Sequence, residues 1–379
     1  MHGRRRVGVF TDYIGAYGRR VLQGVARFAH AHADWSLTTL RMWSFTPRQD
    51  LSRFVIDGMI TTVLPRQLEK RVRSGKLATV NVSSNLLKTG LPSVLVDHQL
   101  VGQMAAEFFL GRGFRNYAYC GSHEAKYSHL RGAAFAARLA ADGFRCTAVH
   151  GLGDGLRRML AREPKPLAIL ANNDVTAADV LGACLELGIP VPESIAVLGV
   201  DDDDLVVSIA RPALASIEIP ARQLGYEAAA LLERLMNGGE PPAAPILLAP
   251  SGVIVRASAD IFAVDDPDVA EALRFIRENA AAPIRVHDVL GHVALSRRTL
   301  ERRFVKQLGR TPLAEIHRVH LDRAKRLLID TDLAIPAVAE AAGFGDDTRF
   351  NFMFRRDAGV PPTAYRRKFR LSDRPANKV

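Results

Sequence analysis

Two stretches in the last hundred residues repeat one layout: a short apolar helix, a tight turn, and a second helix with large apolar residues four apart. The first reads VHDVLGHVALSRRTLERRFVKQLGRTP from Val286 to Pro312, with Val289 on the short helix, a turn at Ala294 to Ser296, and Leu300 and Phe304 sharing one face of the next helix. The second runs from Ile335 to Arg367, with Ala339 and Ala342 ahead of a Gly343-Phe344 turn and Phe350 and Phe354 in the places of Leu300 and Phe304. Small residues before the turn let two helices meet closely at a steep angle, as a helix-turn-helix requires. The pattern predicts an all-α unit over 268–375 with helix-turn-helix motifs near 286–308 and 335–357. Between them, Leu313 to Leu328 places Ile316, Val319, Leu327 and Leu328 among basic residues, the pattern of one amphipathic connecting helix.

Charge points the same way. From Asp268 to Val379 there are 22 Lys and Arg against 14 Asp and Glu, a net of +8, whereas residues 1–267 carry 29 against 26. The basic excess sits with the motifs, and neutralising phosphates with Lys and Arg supplies the sequence-independent part of affinity for double-stranded DNA. RRTLERRF at 297–304, AxxxGF at 339–344, RF-x-F-x-FRR at 349–356 and GVPPTAYRR at 359–367 follow one another in order, and on them residues 268–370 resemble the AraC/XylS family of transcription regulators.

A chain of 379 residues, 48% apolar and 24% charged, has room for two or three domains with their own cores. No stretch approaches the 18 or so apolar residues that span a bilayer, and the run VGVF behind Arg4 to Arg6 is too short for a signal peptide, so no membrane partner is expected. Cys120, Cys146 and Cys184 lack disulfide or zinc spacing; a cytoplasmic protein without metal or other cofactor is expected.

Before residue 256, strand-like runs alternate with helical ones. Strands are predicted at VGVF (7), LTTLRM (37), GMITTV (58), ATVNV (78), SVLV (93), YAYC (117), LAIL (167), IAVLGV (195), 246–248 and 253–255. Helices are predicted at 19–32, 100–112, 130–142, 174–187 and 222–237. Such alternation builds parallel sheets covered by helices, here an α/β unit of two doubly wound lobes over 1–256, with ligands expected at the carboxyl ends of the strands. Residues 257–267 read as a linker.

The stretches VDHQLVGQMAAEFFLGRGFRNYAYCG (96–121), RGAAF (131–135), AILANNDVTAADVLGACLELGIPVPESIAVLGVDDDD (168–204) and PALASIEIPARQLGYEAAALLERL (212–235) resemble the type I periplasmic-binding-protein fold of LacI-type sugar regulators. That resemblance implies that Arg131, Asn173 and Asp201 meet sugar hydroxyls, with Asp174 beside them. Guanidinium, amide and carboxylate groups suit hydroxyls, each of which donates and accepts. The other readings are a surface position for Arg131, a helix N-cap for Asn173 and a solvated turn for Asp201 to Asp204. A sugar sensor joined to an AraC-type tail is similar to the regulators of xylose operons. GAYGRRVLQGVARFA at 15–29 extends that similarity and adds Tyr17 and Arg19 as ligand contacts, or as residues packed on their helix. The implied effector is a small sugar, xylose or one like it, acting on an activator of sugar catabolism genes; RNA polymerase and a second copy of the chain are the implied protein partners.

If Leu300 and Phe304 point inward, Arg298, Glu301 and Arg302 face outward. Arg suits guanine O6 and N7, and Glu suits cytosine N4. Arg297 and Arg303 are assigned to phosphates or solvent, and Thr299 joins the DNA-binding set. In the second copy the outward residues are Asp347, Thr348, Asn351 and Phe352, with Arg349 beside them. Phe352 departs from the basic or polar residue of many relatives, so the first motif is expected to dominate base discrimination.

Two other classes compete. A sugar-modifying enzyme with a DNA-binding tail would need catalytic marks. No GxxxxGK[ST] is present, GLGDG at 151–155 reads as a loop, His123 and His129 form no triad, and the four-Asp run at 201–204 is better read as a turn than as a cation site. An architectural DNA-bending protein would have no use for a 250-residue sensor. A hinged sensor tethered by a linker is expected to communicate only by rearranging a homodimer, so that each copy's two recognition helices enter major-groove segments about 34 Å apart.

Overall fold

The computed structural model describes residues 4–12, 15–39, 55–62, 72, 74, 76–85, 90–264 and 266–369. In the first lobe, β1 (Arg5–Phe10), β2 (Trp35–Thr39), β3 (Gly58–Thr61) and β4 (Ala78–Asn81) form a parallel sheet ordered β2-β1-β3-β4. Val7, Val9, Ile60 and Val80 are wholly buried, as expected of strands covered on both faces. A bridge from Asn81 to Ser93 adds β5 (Val94–Val96), which pairs in parallel with β11 (Ile246–Leu248).

The second lobe holds β6 (Asn116–Gly121), β7 (Cys146–His150), β8 (Leu167–Ala171), β9 (Ile195–Val200), β10 (Ala215–Glu218) and β12 (Gly252–Ile254), ordered β12-β10-β9-β8-β6-β7, with only β12 antiparallel. Helices α1 (Ala16–His32) and α7 (Ala221–Met236) pack on each other beside the first sheet. Helices α2 (His98–Leu110), α3 (Lys126–Ala141), α4 (Asp154–Arg162), α5 (Asp174–Glu186) and α6 (Asp204–Ile209) belong to the second lobe. The chain therefore crosses between lobes near residues 97, 219 and 250, and the carboxyl ends of both sets of strands line one cleft.

The strands and helices expected from the sequence are present, with β2 described only to Thr39 and the rest of LTTLRM outside the described residues. Strands β7 and β10 and helices α4 and α6 are additional: β7 is a half-buried edge strand with no apolar run, and β10 has four residues. GLGDG is only partly a loop, because α4 starts at Asp154.

The C-terminal unit comprises α8 (Pro267–Glu278), α9 (Val286–His292), α10 (Arg297–Leu308), α11 (Pro312–Asp330), α12 (Ile335–Ala341), α13 (Asp347–Ala358) and α14 (Pro362–Phe369). Leu300 and Phe304 are buried with Val269, Leu273, Val289 and Ile316, while Phe350 and Phe354 are buried with Leu321, Leu328 and Val338. The front half of α11 thus belongs to one core and the back half to the other, which fixes the two helix-turn-helix motifs on one rod. Both recognition helices are capped alike: Ser296 Oγ accepts from Thr299 N at 3.3 Å and Asp346 Oδ1 from Thr348 N at 2.7 Å, and each helix ends on a left-handed glycine, Gly309 or Gly359.

The segment read as a linker is docked. Ser258 Oγ donates to Val197 O at 2.7 Å and accepts from Ala215 N at 2.9 Å, and Ala263 N donates to Arg112 O at 2.8 Å. Beyond it, Arg310 donates to Gly111 O, and Glu315, fully buried, takes Arg310 at 2.5 Å and Arg318 at 2.7 Å. Sensor and first motif share a joint, so rearrangement of a dimer is not the only available route between them.

Phe304→Ala removes a fully buried ring from the first motif's core and is expected to destabilise that unit by about 3–5 kcal/mol. Urea unfolding followed by the helical signal checks this; a loss below about 1 kcal/mol would contradict the packing described.

Candidate functional site

Arg131 lies on α3 at the cleft and is only 2% exposed, so the surface-helix alternative does not hold. A guanidinium so deep needs every donor engaged. Its Nε donates to His98 Nδ1 at 3.2 Å, Nη1 donates to Asn172 O, and Nη2 lies 3.5 Å from Asp201 Oδ1. The Tyr127 ring sits 4.9 Å from the guanidinium carbon. Burial and the adjacent Arg131 drive the His98 pKa down to about 2, so this imidazole is neutral and its Nδ1 accepts.

Asp201 follows β9 with φ 112, and Asp202 has φ 50; neither conformation is comfortable for a side-chain-bearing residue. The turn is held by Arg20, which donates to Asp201 O at 2.8 Å and Asp202 O at 2.6 Å, and by Arg256, which pairs with Asp202 at 2.8 Å. Held this way, Asp201 turns its carboxylate toward Arg131 instead of forming a solvated turn. Burial raises its pKa to about 6 against the pull of Arg131. Tyr17, on α1 of the other lobe, donates to Val82 O at 2.5 Å; burial, then the charge of Asp201, raises its pKa. Tyr17, Arg131 and Asp201 therefore converge from both lobes.

The other expected contacts are placed differently. Asn173 is the N-cap of α5, its Oδ1 accepting from Thr176 N at 2.9 Å, but its Nδ2 reaches Tyr127 Oη at 3.4 Å and so still borders the cluster. Asp174 lies behind the cleft wall: its carboxylate accepts from Ser216 Oγ at 2.5 Å and Asp203 N at 2.7 Å, which leaves it a structural role. Arg19 pairs with Asp203 at 3.3 Å and Asp204 at 3.7 Å, a link between lobes at the cleft rim. The sequence reading missed His98, Tyr127, Arg20 and Asn172. Only His98 carried a signal, a histidine at the carboxyl end of β5. Two buried polar atoms at carboxyl ends of strands, Thr11 Oγ1 after β1 and Asn172 Oδ1 after β8, have no hydrogen-bond partner among the described residues.

On the first recognition helix, Arg298 and Arg302 are exposed with no ion pair among the described residues, and Thr299 is half-buried beside the cap. Arg297 pairs with Glu301 at 2.9 Å, and Arg303 is held by Asp266 and Asp268 at 3.1 and 2.9 Å. Arg303 therefore fastens α10 to α8, which corrects its assignment to phosphate or solvent. On the second helix Asp347, Thr348, Arg349, Asn351 and Phe352 are all exposed. Arg349 donates to His317 Nε2 at 2.9 Å, Asn351 Nδ2 to Asp347 O at 2.9 Å, and Phe352 is 68% exposed with Arg356 near its ring.

Comparison with known proteins accords with both halves. Residues 106–259 match the periplasmic binding protein-like domain and residues 290–368 a helix-turn-helix domain. The chain is 31% identical to the xylose operon regulatory protein of Escherichia coli, over 96% of this chain and 97% of that one. It belongs to the xylose operon regulatory protein family. The Haemophilus influenzae member is 27% identical over 92% of this chain and 95% of its own length. The solved structure of the xylose-binding transcription activator xylR, 29% identical, superposes with a TM-score of 0.61, covering 98% of this chain and all of that one. Members of this family are regulators of transcription, and the chain is a sugar-responsive, DNA-binding regulator and not an enzyme. Among the described residues no helix is long and apolar enough to cross a membrane.

Burial, then the charge of Asp201, lifts Asp174 to about pH 8 in the folded chain against an ordinary 3.8. The folded state then binds more protons than the unfolded one between those values, so stability is fullest below about 4 and falls as pH rises toward about 8, by at most about 1.4 kcal/mol per unit. Asp201 contributes in the same sense only up to about 6. Denaturant titrations from pH 4.5 to 8 are expected to show this slope, and Asp174→Asn to flatten its upper part; an unchanged slope between 6 and 8 in the variant contradicts the assignment.

Proposed function

We propose that the cleft between the lobes binds an aldopentose, xylose or one of its stereoisomers, and that the bound sugar alters how the C-terminal unit engages promoter DNA. The observation that carries this reading is the convergence of Tyr17, Arg131 and Asp201, with Asn173 and Tyr127, around a buried charge pair. Vicinal hydroxyls suit a guanidinium and a carboxylate side by side, and Thr11 Oγ1 and Asn172 Oδ1 are further sites for them. The names of the relatives favour xylose among the pentoses. In this reading residues 1–256 sense, 257–267 join and 268–375 bind DNA. The protein acts in the cytoplasm as a homodimer on paired sites, and as an activator it touches RNA polymerase. For reading bases we favour Arg298, Glu301 and Arg302, supported by the exposure and freedom of the two arginines, over Asp347, Thr348, Asn351 and Phe352 of the second copy. Arg297, Thr299 and Arg349 serve the backbone or the helix ends.

A thermal-shift screen of pentoses, hexoses and their phosphates identifies the effector, because a ligand of the folded state raises its stability by mass action. Calorimetry then tests the site: Arg131→Ala or Asp201→Ala is expected to weaken binding by about 1.5–3 kcal/mol for each charged hydrogen bond lost. Unchanged affinity in both variants sinks the assignment.

Arg302→Ala is expected to lose about 1–3 kcal/mol of discrimination at one base pair and Asn351→Ala much less. Fluorescence anisotropy on matched and substituted duplexes measures both. The reverse ranking would assign the dominant reading head to the second copy.

A further inference from the structure

Helix α2 touches both functional ends of the molecule. At its start, His98 Nδ1 holds the Nε of Arg131, the buried cation of the cleft. Just past its end, Gly111 O accepts from Arg310 and Arg112 O accepts from Ala263 N at 2.8 Å. Thirteen residues of helix span about 20 Å, so a single rod bridges the distance between them.

The rod does not slide on its neighbour. A methyl group at Gly102 would lie 2.4 Å from Arg131 O and 2.7 Å from Phe135 N, so α2 and α3 are in backbone contact, and the Glu107–Arg138 pair at 2.5 Å ties their far ends. Because Arg131 is itself on α3, a force applied to its guanidinium acts on the pair of helices and, through His98, on the first turn of α2.

The far end is tightly built. Gly113, with φ +81, fits where a methyl group would lie 2.9 Å from Val264 Cγ1 and 3.3 Å from Leu308 Cδ2, and Leu308 is the last residue of the first recognition helix. Arg112 is buried with its guanidinium carbon 3.5 Å from the centre of the Phe108 ring and 5.9 Å from that of Phe262, and its Nε has no partner among the described residues. A close-packed contact around a buried cation that has one donor satisfied at Phe108 O, 3.2 Å away, and its Nε unsatisfied is sensitive to displacements of a fraction of an ångström. The second motif instead hangs from α11, through Lys325–Asp357, Arg323 to Ala341 O, and Arg349–His317.

We propose that α2 is the element that carries sugar occupancy to DNA binding, with His98 as the positioning residue at the ligand end and the Gly111–Gly113 corner seated on Arg310 and Leu308 at the other, so that the first reading head responds directly. This rests on reading the cleft as the sugar site. A hydroxyl drawn to Arg131 shifts the balance between its bonds to His98 and Asp201; α2 moves with it, and the seat of α10 changes by the same step.

The test uses the full chain, xylose, and a duplex that this chain selects from random sequence. With saturating xylose, hydrogen exchange is expected to change by at least about threefold at residues 108–114 and 305–312 as well as around the cleft. Arg310→Met is expected to keep the parent's xylose affinity within about twofold while its ratio of DNA affinities with and without xylose falls to near one. His98→Leu is expected to lose that ratio at saturating sugar, and His98→Asn, which keeps an acceptor near Nδ1, to retain most of it. If Arg310→Met fails to fold, Gly113→Ala, which crowds Leu308 and Val264, makes the same measurement. A parent that responds to xylose with Arg310→Met or Gly113→Ala responding equally, and with no exchange change at 108–114, overturns this inference and leaves the sensing reading intact. A parent that does not bind xylose, or whose DNA affinity ignores it, overturns the sensing reading and the inference with it.

Discussion

One buried guanidinium organises the sensor. Arg131 is supplied by α3, but its acceptors come from the start of α2, the end of β8 and the turn after β9, so four elements are fixed relative to one another by one side chain. Burying a cation is unfavourable unless the geometry of its partners is good, and breaking such a set costs far more than forming it gains. That asymmetry makes the cluster suitable as a sensor: a ligand offering better partners to the same groups has a large lever on the elements that hold them.

The strained turn at Asp201 and Asp202 is the counterpart. Two positive φ values in succession are sustained because Arg20, from the other lobe, donates to both carbonyls and Arg256 holds the Asp202 carboxylate. The same turn receives Arg19 at Asp203 and Asp204. Contacts that orient the Asp201 carboxylate are thus among the contacts that hold the lobes together. The cluster of acidic groups that results shares its protons unevenly: Asp174 is held near pH 8 by burial and its neighbours, so that Asp201 keeps its charge for Arg131 at neutral pH.

The DNA-binding half was legible in the sequence because its signals are local. Leu300 and Phe304, and Phe350 and Phe354, mark the inward faces of helices whose turns and caps lie within a few residues, and each is buried as the spacing predicts. The sensor was legible in strand order, since parallel strands write themselves as apolar runs, except where a strand is short or at an edge, as β10 and β7 are. Its site was half legible. Arg131, Asp201 and Tyr17 converge, but Asp174 beside them is turned into the lobe by Ser216, a residue 42 positions away, and nothing near Asp174 in the sequence announces it. The joint was not legible at all. The bond from Arg310 to Gly111 O links residues 199 apart through a main-chain carbonyl, which has no identity in a sequence, and the segment read as a linker has the Asp- and Pro-containing composition of one while the Ser258 hydroxyl pins it to β9 and β10 and its backbone to Arg112.

If sensor and reader are coupled as these contacts imply, the coupling is reciprocal: the factor by which sugar changes DNA affinity must equal the factor by which DNA changes sugar affinity. Calorimetric titration of xylose into the full chain, alone and saturated with its selected duplex, measures this directly. The account predicts two distinct sugar affinities whose ratio matches the sugar-induced change in DNA affinity, typically about 5- to 150-fold for coupled sites. A single sugar affinity, the same with and without DNA, would contradict it.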